Sequence, residues 1–128
     1  MLGYTLIGTS DLKAARVFFD KVFAELGVKR LYDADRMSYW GEGFTSGAVG
    51  VCYPFDGKAA SYGNGTMLAL QAPSRAAVDA AYRMALAQGG RDEGKPGVRA
   101  GEGDGAFYCA YFRDLDGNKF SLFRIGAA

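Results

Sequence analysis

Thr66-Met67-Leu68-Ala69-Leu70-Gln71-Ala72-Pro73-Ser74 carries the chain from a strand into a helix, and it does so for the second time. The apolar run through Gln71 predicts a strand. Pro73-Ser74 then opens a helix, because a serine hydroxyl can accept from the free N–H groups of a first turn. Val78, Ala81, Tyr82, Ala85 and Leu86 return at steps of three and four before Gly89-Gly90 stops the helix. The same order stands at the start of the chain. Tyr4 to Thr9 reads as a strand and Ser10-Asp11 as a helix start, with Asp11 suited to the positive end of the helix dipole. Leu12, Ala15, Phe19, Val22, Phe23 and Leu26 form the buried stripe, and Gly27 supplies a left-handed stop.

Three short strands are predicted behind the first helix: Lys29 to Tyr32, Met37 to Gly41 and Ala48 to Tyr53. Behind the second, a weaker strand lies around Arg91 to Glu93 or Val98. The clearest ones follow, Phe107 to Arg113 and Lys119 to Ile125, joined by Asp114-Leu115-Asp116-Gly117-Asn118. Gly117 is placed for the positive φ that such a hairpin needs. The reading is α+β, strand-helix-strand-strand-strand twice. Module one covers about residues 1–54, a polar Gly-rich linker about 55–64, and module two about 65–128. A half this small buries too little surface to stand alone, so the two must share a core or exchange partners with a second chain.

Composition narrows the function classes. The chain has 128 residues, with Lys plus Arg at 15 and Asp plus Glu at 14. The cations are scattered among acids, which argues against a nucleic-acid partner. No apolar run approaches the roughly 20 residues of a membrane span. The N-terminus lacks the basic-then-apolar arrangement of a secretory signal, so the expected address is cytoplasmic. Cys52 and Cys109 sit in apolar strands without metal-ligand spacing and read as core thiols. Histidine, the commonest metal ligand and general base, is absent.

The repeat, with Gly8-Thr9-Ser10-Asp11-Leu12, Ala72 to Asp79 and Arg113-Asp114-Leu115-Asp116-Gly117-Asn118, resembles the vicinal oxygen chelate superfamily over essentially the whole chain. That superfamily holds glyoxalases, bleomycin resistance proteins and extradiol dioxygenases. The resemblance implies two βαβββ modules in an eight-stranded, half-barrel-like sheet with helices on the outer face, and a homodimer. In metal-using members the ligand positions would fall on Tyr4, Met67 and Ser121. A phenol, a thioether and a primary hydroxyl are poor ligands for a hard divalent ion, so no metal and no cofactor is expected.

Strand alternation extends that placement. If Tyr4 points into the cavity, so do Leu6 and Gly8; if Met67 does, so do Ala69 and Gln71. The turn at Asp116 pairs Arg113 with Lys119, hence Tyr111 with Ser121 and Cys109 with Phe123, all on one face. Thr5, Ile7, Leu68, Leu70, Phe120 and Leu122 pack on the helices. Tyr4, Trp40, Met67, Gln71, Cys109, Tyr111, Ser121 and Phe123 are thus the expected ligand-binding set. Whether they enclose a cavity or fill a barrel stays open at this point.

Arg99 to Gly105 forms a Gly-rich loop whose acids, Glu102 and Asp104, stand where similar proteins often carry histidines. Tyr111, Glu102 and Tyr4 are the candidate acid or base groups. The leading function is metal-free binding of a small hydrophobic or aromatic molecule. The alternatives are a glyoxalase-type lyase, isomerase or dioxygenase with no metal or an unusual metal site, and a filled-barrel dimer scaffold.

Overall fold

Both helices begin where a short polar side chain closes the first turn. Asp11, not Ser10, caps α1 (Leu12–Ala24): its carboxylate accepts from the Ala14 N–H at 3.0 Å. Ser74 does the same for Ala77 at the head of α2 (Arg75–Ala87). Gly27 and Gly89, at φ of +74° and +98°, take the left-handed conformation beyond the two helix ends.

The computed structural model describes residues 1–128. The strands of the first module are β1 (Tyr4–Gly8), β2 (Arg30–Asp33), β3 (Met37–Gly41) and β4 (Ala48–Cys52). Those of the second are β5 (Leu68–Gln71), β6 (Arg91–Arg99), β7 (Phe107–Arg113) and β8 (Lys119–Ile125). β5 starts later than expected, leaving Met67 just outside it. β6 is a single nine-residue strand, and its ladder with β7 slips twice between Asp92 and Gly97.

The strands form two four-stranded sheets, ordered β1-β4-β3-β2 and β5-β8-β7-β6. They are not joined into one eight-stranded sheet, because β1 and β5, the two edges, flank a groove and share no hydrogen bonds. In each sheet the first strand runs parallel to the last, and the other pairs are antiparallel.

One cluster of 18 buried residues serves both modules. Phe19 shows how: its ring centroid lies 5.5 Å from Trp40 of the first sheet and 5.6 Å from Phe120 of the second. Phe18 meets Phe112 at 6.3 Å, and the two helices touch. Removing such a ring costs about 3–5 kcal/mol. Ile7, Phe120 and Leu122 are buried on this side, as alternation requires.

The β7–β8 turn supplies a second tie between modules. Asp114 accepts from the backbone of Asp116 and Asn118 and from the Asn118 amide, and Asn118 donates onward to the Gly8 carbonyl. The Ser10 N–H donates to Asp116 at 2.9 Å. Gly117, at φ +88°, lies under the linker's Tyr62, whose ring a Cβ there would strike. No helix is long and apolar enough to cross a membrane.

Candidate functional site

The sheet faces turned away from the helices carry aromatic side chains that the core does not use. On the first sheet Tyr4 meets Tyr39 and Phe44 edge-on at 5.6 and 5.7 Å, and Tyr39 meets Phe44 at 5.0 Å. Tyr4 is 55 % exposed and Phe44 42 %. Gly50 makes room for this cluster, because a Cβ there would clash with the edge of the Tyr39 ring and with Leu6. On the second sheet Phe107 and Phe123 stack at 5.2 Å with their planes 8° apart.

Between the edges β1 and β5 runs an apolar groove of about 630 Å³. Tyr4 belongs to both the groove and the first aromatic face. Ala69 and Gln71 line it from β5, opposite Ser121 and Phe123 in the ladder with β8. Glu42 is its one charged lining residue.

Four of the eight expected binding residues, Tyr4, Trp40, Met67 and Gln71, line this groove. The other four, Cys109, Tyr111, Ser121 and Phe123, share a face of β7 and β8 in the expected register. Cys109 Sγ and the Tyr111 hydroxyl are hydrogen-bonded at 3.4 Å. That contact and burial push the Tyr111 phenol up from its ordinary value, so it stays protonated near neutral pH. Cys109 and Ser121 are buried beneath the surface they were expected to line.

Trp40 lines the groove and is also a core residue. It is 1 % exposed, packs on Phe19 and Phe23, and donates its indole N–H to Asp20 at 2.9 Å. Alternation along β3 puts Tyr39 on the opposite face, where it joins Tyr4 and Phe44 outside the groove lining.

Arg75 grips the Glu102 carboxylate with two bonds, at 2.9 and 3.1 Å, and holds its pKa below the ordinary value. A general base near neutral pH needs the opposite shift. Arg75 also donates to the Gly126 carbonyl and lies over Tyr108 at 4.9 Å, so the pair fastens the β6–β7 loop to α2.

The donor set does not fit the metal that the fold implies. Tyr4, Met67 and Ser121 offer a phenol, a thioether and a buried hydroxyl. Nowhere do three or more Cys, Asp or Glu side chains gather as a metal site would need.

Sequence reasoning passed over Arg99 and Lys119, whose cationic ends lie over the Tyr111 ring. Lys119 alternates with Ser121 and Phe123, which could have placed it on that face. Arg99 had no such signal, because Gly94, Pro96 and Gly97 interrupt the pattern of β6.

Paired βαβββ modules with an open apolar seam and aromatic outer faces define a glyoxalase-like α+β protein. The model of the Glyoxalase/Bleomycin resistance protein/Dioxygenase superfamily matches residues 1–122, and the chain belongs to that family. It is similar to a glyoxalase/bleomycin resistance protein from Albidiferax ferrireducens T118, with 30 % identity over 94 % of this chain and 95 % of that one, TM-score 0.85. A glyoxalase/bleomycin resistance protein/dioxygenase family enzyme from Burkholderia phytofirmans PsJN shares the fold, with 19 % identity over 97 % and 98 %, TM-score 0.71. A glyoxalase I mutant from Zea mays does so at 21 % identity over 98 % of this chain and 44 % of that one, TM-score 0.69. Among curated proteins none is significantly similar.

Proposed function

We propose that the chain binds a small hydrophobic or aromatic molecule on the aromatic faces beside the β1–β5 groove, without metal chemistry. The observation that carries this reading is the pair of exposed rings, Tyr4 and Phe44, seated edge-on against the buried Tyr39. Tyr4 and Phe44 leave much of their area in water, where a flat ligand gains both stacking and burial. A Tyr111 phenol raised in pKa and an arginine-bound Glu102 argue against either as a general base near neutral pH.

The same edges favour a homodimer. β1 and β5 each have one unpaired side, beside the exposed Leu2, Tyr4, Leu6 and Met67. An apolar open edge is a template for another strand. Sedimentation should show a dimer.

The direct test is a thermal-shift and calorimetric panel of aromatic compounds, with and without EDTA. Saturable binding that is insensitive to EDTA supports the proposal. A flat response across the panel, or stoichiometric metal in protein purified without chelator, refutes it.

A further inference from the structure

We propose that the outer face of the β5–β8 sheet recognises the carboxylate of an aromatic acid, through Arg99 and Lys119 on the Tyr111 ring. The inference rests on the small-molecule reading above and names the chemistry of its ligand.

The Arg99 guanidinium carbon and the Lys119 ammonium each lie 5.6 Å from the Tyr111 ring centroid. Two cations gathered on one ring concentrate positive charge on this face, which a bound anion would offset. Neither makes an ion pair within the chain, where the ion pairs engage Arg16, Arg30, Arg75 and Arg113 instead. The Glu93 carboxylate feels the charge of Lys119 but is bonded to Arg113.

Arg99 is held in place rather than loose. It donates to the Gly97 and Lys95 carbonyls at 3.1 and 3.0 Å, which leaves part of its five-donor fork unused. Glycines permit this fold-back. A Cβ at Gly97 would press on the guanidinium at 3.3 Å, and one at Gly94 would run into the Tyr111 ring at 2.8 Å. A fixed fork with spare donors suits a carboxylate.

The apolar half of the site is on the same face. Arg99 stands opposite Phe107 in the β6–β7 ladder, and Phe107 stacks on Phe123. A ligand ring laid against these phenylalanines points an attached carboxylate toward the cations. The Tyr111 phenol, pushed up in pKa, adds no competing negative charge.

Calorimetry on the full chain with 2-naphthoate and its neutral isostere 2-naphthamide tests this. The carboxylate should be preferred by about tenfold or more, the size of one or two charge-assisted hydrogen bonds. In the double variant Arg99→Gln, Lys119→Gln that preference should collapse toward one. Should the variant fold poorly, salt gives a second reading on the unaltered protein. Raising NaCl from about 20 to about 300 mM should weaken naphthoate and spare naphthamide. Equal binding of the two probes, or an unchanged preference in the folded variant, overturns the inference and leaves small-molecule binding standing. Binding of neither probe overturns it too, and if the wider aromatic panel also fails, the proposed function falls with it.

Discussion

Asn118 and Gly8 are 110 positions apart, and the Asn118 side-chain N–H reaches the Gly8 carbonyl at 3.0 Å. The bond fastens the last hairpin of module two to the end of the first strand of module one. The same amide donates to Asp114 at 2.8 Å, so both of its hydrogens are used inside the protein.

Asn118→Ala should therefore cost about 1–3 kcal/mol, since it strands a carbonyl and a buried carboxylate oxygen together. Denaturant unfolding reads this directly. A loss below about 0.5 kcal/mol, the scale of an ordinary surface change, would show that the tie is replaceable.

Asp114 gives the protein a pH signature. Burial pushes its carboxyl up to about 6 despite three N–H donors. The folded state thus binds this proton more tightly than the unfolded chain. The contribution is fully present below the ordinary carboxyl value and is lost as pH rises through about 6, at most about 3 kcal/mol. Wild-type stability minus that of Asp114→Asn should fall between about pH 4 and about pH 6.5. A difference that is flat or rises over that window contradicts the buried charge.

The Arg75–Glu102 pair has the opposite sign. Its carboxyl is held below the ordinary value, so its help is present above that value and fades in acid. Glu102 is 67 % exposed, so solvent screens the pair, and Glu102→Gln should change stability little while leaving ligand affinity unchanged. An affinity change of about tenfold would return Glu102 to the site.

Gly50→Ala should damage binding more visibly than its single methyl suggests. The new Cβ must displace the Tyr39 ring, which is 7 % exposed and has little room to move. Overpacking of this kind costs about 1–3 kcal/mol. Aromatic ligands should weaken in step, and a variant of full affinity would mean the Tyr39 cluster is not part of the site.

Much of this could be read from the chain, and the failures have physical causes. The β7–β8 register follows from the hairpin and two-residue alternation, and Arg113–Lys119, Tyr111–Ser121 and Cys109–Phe123 pair as read. Both helices follow from their apolar periods. β3 is ambiguous in sequence because Met37-Ser38-Tyr39-Trp40-Gly41 puts adjacent aromatics on opposite faces, and only packing on Phe19 and Phe23 decides which is core. β6 was obscured by two glycines and a proline, and with it Arg99. The ion pair of Glu102 is not legible in the sequence because its partner, Arg75, lies 27 positions away.

Each sheet spends one side on cohesion and the other on contact with the outside. Phe112, Phe120 and Leu122 are fully buried on the first side, while Phe107 and Tyr4 stand on the second and add little to the shared cluster. Exposed positions on the outer side are thus less bound by the packing that fixes the inner one, although Gly50 and Tyr39 on that side stay tied to it. Substitutions at exposed positions such as Tyr4 and Phe107 can therefore change what the face touches at little cost to the fold.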